Sequence, residues 1–333
     1  MAELSHRALR ELVEGFGGCD EYFTEMISAG ALIGGGPFES WYTDAGPRPE
    51  KLVFQLVGAD FGQIVKAAGL LNRLECLGID INMGCSAPLI RKTGAGVAWM
   101  ASIDRAGELV AGVRKAVTRR LSVKLRIGFQ DDFDYLVRFC RRLEAEGAEL
   151  ITVHPRTAGE KFKRQARWDY VGHLKRELGI PVAGNGDIDS AEELLGRASA
   201  RAEGRDLCDA LMVGRGAVRQ PWIFAAARRL QAEREALAEG AAAPEAAAAQ
   251  PVYAPAPDYG AAIGETGVKF LDLLARYQPP EFHLSRARRF FAYFCDNLKW
   301  GNYLKNKLNR EESLAGIERV WREYFAPDRG NGE

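Results

Sequence analysis

Residues 122–157 read SVKLRIGFQDDFDYLVRFCRRLEAEGAELITVHPRT. Two short runs rich in apolar and β-branched residues, 122–126 and 150–154, flank an amphipathic stretch at 132–146. Strand, helix and strand in that order make a βαβ unit, and its crossover lays the two strands parallel. The same alternation extends in both directions. Apolar runs recur at 21–26, 52–57, 78–83, 180–185 and 210–213, which brings the expected strands to seven. Several are nearly continuous in hydrophobicity, as suits parallel strands covered on both faces. Helical stretches at 60–77, 104–119, 169–178 and 190–202 lie between most of them, and another at 5–16 precedes the first. Ser5, Asp60, Asp104 and Ser190 stand where N-caps belong.

A (β/α)8 barrel needs eight strands and about 250 residues. Seven leave one strand short, and it would precede residue 1. The expected fold class is α/β, a TIM (β/α)8 barrel lacking its first strand in this chain; an open parallel sheet is the alternative. This part takes residues 1–235. Residues 236–257, ALAEGAAAPEAAAAQPVYAPAP, read as an Ala/Pro-rich linker, since four prolines must interrupt any helix there. Residues 258–327 then show only helical spacing, at 267–277, 285–298 and 314–324. They form a small all-α domain of three or four helices.

Lys+Arg and Asp+Glu both number 45 in the 333 residues. This balance excludes a polycationic tail but not a basic patch offset elsewhere. No run of about 18 apolar residues and no signal-peptide core is present, so a cytoplasmic protein without a membrane span is expected. The six cysteines are scattered and none forms a C-x-x-C pair, so no metal site is expected.

In a parallel α/β barrel the chemistry gathers at the C-terminal ends of the strands. Those ends are polar here: Gln55, Asn82 with Cys85, Lys124 with Arg126, His154 with Arg156, Asn185 with Asp187, and Gly214-Arg215-Gly216. Any one of them reads equally as a capping or loop residue; six together point to a shared site. Gly184-Asn185-Gly186-Asp187 and Gly214-Arg215-Gly216 follow the seventh and eighth strands of the expected barrel, where phosphates commonly bind backbone N–H groups. Lys124 and Arg126 alternate in Val-Lys-Leu-Arg-Ile-Gly and share one face of their strand. Two cations there need an anionic partner, such as a phosphate or a reduced flavin, unless the strand is a solvated edge. Cys85 directly follows a strand, with glycine before it and a polar loop after it. It reads either as an acid or nucleophile or as an inert core thiol, the reading given to Cys76, Cys140 and Cys208.

Asn-Met-Gly-Cys at 82–85, Val-Lys-Leu-Arg-Ile-Gly at 123–128, Val-His-Pro-Arg-Thr at 153–157, Gly-Asn-Gly-Asp-Ile at 184–188 and Val-Gly-Arg-Gly-Ala at 213–217 resemble the motifs of the tRNA-dihydrouridine synthases. Phe-Gln-Leu-Val-Gly at 54–58 and Thr-Glu-Met at 24–26 fit as well, and the resemblance covers about residues 1–325. It implies an FMN-binding barrel followed by a helical tRNA-binding domain. NADPH would reduce the FMN, hydride would pass to C6 of a tRNA uracil, and Cys85 would protonate C5. By resemblance Gln55, Lys124, His154, Asn185, Gly186, Asp187, Gly214 and Arg215 hold FMN. Met1 joins them as the last residue of an Ala-Pro-Met motif that ends the family's first strand. Asn82 and Arg126 would lie at the uracil and Arg156 close to the RNA. The chain departs from the family in three ways. Ser86-Ala87-Pro88 stands where proline directly follows the cysteine, the first strand is missing, and the Ala/Pro stretch is inserted. A start placed too late or a truncated chain would account for the missing strand.

Residues 283–310 carry seven basic residues, Arg286, Arg288, Arg289, Lys299, Lys305, Lys307 and Arg310, against Asp296. Residues 154–176 carry seven, Lys163 and Arg164 among them, against Glu160 and Asp169. These segments are expected to meet the RNA backbone, with the interleaved aromatics of 290–303 filling a helical core. Two other readings remain: a flavin barrel oxidoreductase acting on a small molecule, and a non-catalytic tRNA-binding protein if the first strand is truly lacking. A monomer is expected.

Overall fold

The computed structural model describes residues 1–160, 163–202, 208–238 and 259–326. Most of the expected linker, 239–257, and Lys161, one of the seven basic residues of 154–176, lie outside the described residues. Seven strands form one parallel sheet in chain order: β1 (Tyr22–Ser28), β2 (Leu52–Val57), β3 (Gly78–Met83), β4 (Arg120–Gly128), β5 (Leu150–Thr157), β6 (Val182–Asn185) and β7 (Ala210–Met212). Among the described residues β1 and β7 are its edges. Consecutive parallel strands joined through helices are the TIM-type architecture. All seven predicted strands are present, and β4 and β5 run longer than the apolar runs alone suggested.

Strands β2, β3 and β5 are buried throughout yet not uniformly apolar. In β3, β4 and β5 polar residues alternate strictly with Ile79, Ile81, Leu121, Val123, Leu125, Ile151 and Val153, each at most 1% exposed. The apolar face packs under helices and the other carries the polar groups described below.

Helix starts follow the reach of cap oxygens. The Asp60 carboxylate accepts from Gln63 N–H at 2.8 Å and opens Phe61–Leu71, which stops short of the expected residue 77. Ser102, not Asp104, caps Ile103–Ala116 by accepting from Arg105 N–H. Asp132 caps Phe133–Ala145, and Ser190 Oγ accepts from Glu193 N–H at 3.2 Å. The first helix is shorter than 5–16: it spans Arg7–Glu14 after His6, and Ser5 is not its cap.

The chain divides into two compact units that do not follow chain order. The first holds residues 1–2, 20–188 and 196–214, and contains the sheet. The second holds residues 3–19, 189–195 and the described residues from 215 onward. The first helix and residues 215–238 therefore group with the C-terminal helices, although the boundary drawn from composition fell at 235. The second unit includes Tyr259–Tyr277, Pro280–Phe294, Gly301–Arg310 and Leu314–Phe325. Phe270, Phe290, Phe291, Phe294 and Trp321 are at most 1% exposed and form its core. Phe270 stacks on Phe290 with centroids 3.7 Å apart, and Trp321 Nε1–H donates to Gly264 O at 2.8 Å. A Cβ on Gly267 would lie 2.3 Å from Trp321, so only glycine lets that ring seat. No helix among the described residues is long and apolar enough to cross a membrane.

Candidate active site

The polar face of the sheet carries three rows of side chains. Gln55, Asp80 and Ser122 are register neighbours on β2, β3 and β4. Two residues along lie Asn82, Lys124 and Thr152, and two further Arg126 and His154. The rows are stitched by hydrogen bonds. Ser122 Oγ–H donates to one Asp80 oxygen at 2.7 Å and Gln55 Nε2 to the other at 2.8 Å. Asn82 Nδ2 donates to Gln55 Oε1 at 2.9 Å. Asn82 Oδ1 in turn accepts from the backbone N–H of Cys85 at 2.9 Å and of Gly84 at 3.2 Å.

The Cys85 loop is therefore pinned from beneath. It is also pinned at the sides: Arg126 Nε donates to Gly84 O at 3.0 Å, and Val97 N–H to Cys85 O at 3.0 Å. Gly96 has φ +60°, and a Cβ there would fall 2.5 Å from Cys85 O, so glycine is required for this approach. The Cys85 side chain is half-buried, whereas Cys76, Cys140, Cys208 and Cys295 are buried. Burial pushes the Cys76 thiol up and the Cys295 thiol up to about 12, as befits inert core groups.

Lys124 Nζ donates to Asn185 Oδ1 at 2.8 Å, and Asn185 Nδ2 donates to Met212 O at 2.8 Å, tying β4, β6 and β7 together. Burial pulls the Lys124 ammonium down to about 8, against the opposing pull of Asp80. Burial likewise raises Asp80 to about 6, while Ser122, Gln55 and Lys124 favour its ionised form.

A second cluster surrounds Arg156, which is 2% exposed. Its Nη2 sits 2.7 Å from both carboxylate oxygens of Asp187, its Nε donates to Arg164 O, and its Nη1 donates to His154 Nε2 at 2.8 Å. An arginine can only donate, so His154 Nε2 is the acceptor and the neutral ring carries its proton on Nδ1. Asp187, at φ +50°, also accepts from Ala166 N–H at 2.7 Å. Gly186 has φ +124°, and a Cβ there would lie 2.9 Å from the His154 ring. The following loop is held by Glu160, which accepts from Thr157 N–H and pairs with Arg167. That pairing holds its carboxyl down to about 2. Lys163 and Arg164 stand exposed on this loop.

Gln55, Asn82, Lys124, Asn185 and the Cys85 backbone thus belong to one polar face, and His154, Gly186 and Asp187 meet around Arg156. Met1 lies beside Gly214. Arg215 opens the helix Arg215–Arg219 in the second unit. Several of the expected residues are engaged within the protein. Asn82, expected at a uracil, accepts from the N–H groups of Gly84 and Cys85, and Arg126, expected there too, donates to Gly84 O and Thr157 O. Arg156, expected near RNA, is buried between Asp187 and His154. The Asp187 carboxylate is engaged by a guanidinium, so it shapes the turn. In the second unit Arg286 is 2% exposed beneath the Phe282 ring, Arg288 donates to Glu311 O, and Arg289 pairs with Glu3. Arg289 stays exposed in that pair, and other exposed basic groups flank exposed aromatics: Lys299 lies over Trp300 and Lys307 over Tyr303, with Arg310 one turn on. Reading strand ends overlooked Asp80 and Ser122, although each stands two residues before a residue that was singled out and so shares its face.

The sequence model of the dihydrouridine synthase family matches residues 1–254. A probable tRNA-dihydrouridine synthase of Aquifex aeolicus is 32% identical over 229 residues, 67% of this chain and 69% of that protein. The tRNA-dihydrouridine(16) synthase of Ralstonia nicotianae is 29% identical over 238 residues, 68% and 70% of the two chains. The tRNA-dihydrouridine synthase B of Pasteurella multocida is 32% identical over 179 residues, 53% and 52%. With three quarters of its length matched and a half-buried cysteine pinned at the end of β3, the chain belongs to the dihydrouridine synthase family of oxidoreductases.

Proposed function

We propose that the protein reduces uridines in tRNA to 5,6-dihydrouridine, with FMN as the bound redox group, NADPH as its reductant and Cys85 as the proton donor. The carrying observation is the polar face that ends on the pinned, half-buried Cys85. The residues fit a flavin. Lys124 has a single hydrogen-bond partner for its three N–H bonds among the described residues, and Thr152 Oγ1, its register neighbour, is buried with none. A half-buried ammonium with donors to spare suits the flavin ring edge that becomes anionic on reduction. Gln55, Lys124, His154 and Asn185 would hold the ring system, with Gly186 and Gly214 leaving room for the phosphate. The resemblance adds Met1 and Arg215.

Reduced flavin supplies the hydride that adds at C6 of the uracil. Addition there leaves carbanion character at C5, conjugated with the carbonyl at C4. The Cys85 S–H donates its proton to C5, and the thiolate left behind is reprotonated from water. The loop carries no extra covalent chemistry; its task is to hold the sulfur still. Asn82 and Arg126 do this through the backbone of Gly84 and Cys85. His154 is held by Arg156, whose Nη1 donates to its Nε2 at 2.8 Å. The target base must leave its stack to reach a thiol at this depth, which takes a few kcal/mol.

For tRNA, the exposed pairs Lys163 and Arg164 in the first unit and Lys299, Trp300, Tyr303, Lys307 and Arg310 in the second provide backbone-reading cations beside stacking surfaces. The test is incubation of the purified protein with NADPH and unmodified tRNA, reading dihydrouridine by nucleoside mass spectrometry. Formation of dihydrouridine supports the reading. A protein with reducible flavin that leaves tRNA unchanged but reduces a free pyrimidine or an enone overturns it.

A further inference from the structure

The chain buries an aspartate on the polar face of its sheet. Asp80 is fully buried in the centre of β3, between Gln55 and Ser122. Burying a carboxylate is unfavourable unless its bonds do something an apolar side chain could not.

Those bonds form a one-way chain. At one end stand the backbone N–H groups of Gly84 and Cys85, which can only donate. At the other stands the ionised Asp80 carboxylate, which can only accept. Between them lie two primary amides, Asn82 and Gln55, each able to exchange its oxygen and nitrogen by a half-turn at little steric cost. With these ends, one orientation alone gives a donor against an acceptor at every contact. It is the one present: Cys85 and Gly84 N–H to Asn82 Oδ1, Asn82 Nδ2 to Gln55 Oε1, Gln55 Nε2 to Asp80. Ser122 Oγ–H fills the second carboxylate oxygen and keeps Asp80 from turning. Gln55 and Asn82 are 5% and 7% exposed, so water cannot repair a reversed amide.

We propose that Asp80 is a positioning residue for Cys85: as the terminal acceptor it sets the orientation of Gln55 and then of Asn82, and so holds the Cys85 backbone in place. Its role in turnover rests on Cys85 being the proton donor; its role in placing the loop does not.

The test compares Asp80→Leu with Asp80→Asn. Leucine keeps the approximate volume and removes the acceptor. Asparagine loses the charge but can still present an oxygen to Gln55 and an amide to Ser122. The first readout is alkylation of Cys85 by iodoacetamide in flavin-free protein, followed by mass spectrometry with half-buried Cys19 as internal reference. Asp80→Leu is expected to change the Cys85 rate by about tenfold, the size of one lost buried hydrogen bond, and leave Cys19 alone. Asp80→Asn is expected to restore most of the wild-type rate. The second readout is single-turnover reduction of tRNA by prereduced enzyme, in which the first-order rate at saturating tRNA should fall in Asp80→Leu with little change in the tRNA concentration that gives half of it. If Asp80→Leu does not fold, Gln55→Leu breaks the same chain one link later and should give the same alkylation signature. The proposal is overturned if a folded Asp80→Leu or Gln55→Leu protein alkylates Cys85 at the wild-type rate, or if Asp80→Asn is as impaired as Asp80→Leu. If the alkylation shift is present while wild-type enzyme leaves tRNA unreduced, the positioning stands and the uridine-reductase reading falls.

Discussion

Arg156→Met removes a guanidinium that joins three segments at once. Its partners are the Asp187 carboxylate after β6, the ring of His154 on β5 and the backbone of Arg164 in the following loop. The Arg156 side chain is 3% exposed and that of Asp187 28%. Breaking a buried pair by removing one partner costs about 3–5 kcal/mol, because the remaining charge stays desolvated. Partial exposure of Asp187, which also keeps the Ala166 N–H, places this case at the low end, about 3 kcal/mol. In a domain of this size that corresponds to a fall of about 6–12 °C in Tm. Scanning calorimetry with Arg48→Ala as control gives the comparison. The Arg48–Glu50 pair has side chains 47% and 57% exposed, and its loss should shift stability by less than about 1 kcal/mol. An Arg156→Met protein as stable as the control would refute the assignment of Arg156 as a buried structural tie and return it to the RNA-facing role first expected of it.

Lys124→Met should stabilise flavin-free protein at pH 7 by about 2 kcal/mol, since the side chain keeps partial solvent contact, while abolishing flavin retention. The sign follows from a folded pKa of about 8 below the ordinary 10.5: wild-type stability is penalised below pH 8 and rises between pH 8 and 10.5, and urea titrations of the mutant should lose that rise. Asp80, raised to about 6, acts in the acid range: wild-type stability should fall as pH rises from about 4 to 6, and Asp80→Asn should flatten that slope. Gly184→Ala would set a Cβ 2.3 Å from the Trp168 ring, and should cost about 1–3 kcal/mol with a shift in tryptophan emission. Charge reversal at Lys299 and Lys307 should weaken tRNA binding and lower its salt dependence by about two phosphate contacts, whereas reversal at buried Arg286 should unfold the second unit, as circular dichroism would report.

The strands and the polar face they share were legible because strand geometry is short-ranged. A period of two puts Asp80 with Asn82, Ser122 with Lys124 and Arg126, and Thr152 with His154, before any partner strand is known. Which of these touch is a matter of register between strands 25 to 42 residues apart in sequence, so the run from Asp80 to Cys85 could not be read from one strand. Charge counting failed at Arg286 for a different reason: a count has no direction. Helical spacing held the missing information, since Arg286, Phe290 and Phe294 lie four apart and share the buried stripe. Helix starts moved by one or two residues because a cap is defined by an oxygen that reaches an N–H, as Ser102 does and Asp104 does not. The grouping of residues 3–19 with the C-terminal helices depends on packing between distant helices, which no local pattern encodes.

The most direct test of the central claim sets Cys85→Ala beside wild-type protein on unmodified tRNA, with NADPH as reductant. Flavin absorbance and dihydrouridine content are measured in the same samples. The account predicts equal flavin content, equal flavin reduction by NADPH, and dihydrouridine formed by the wild type alone. Undiminished dihydrouridine from Cys85→Ala would contradict it.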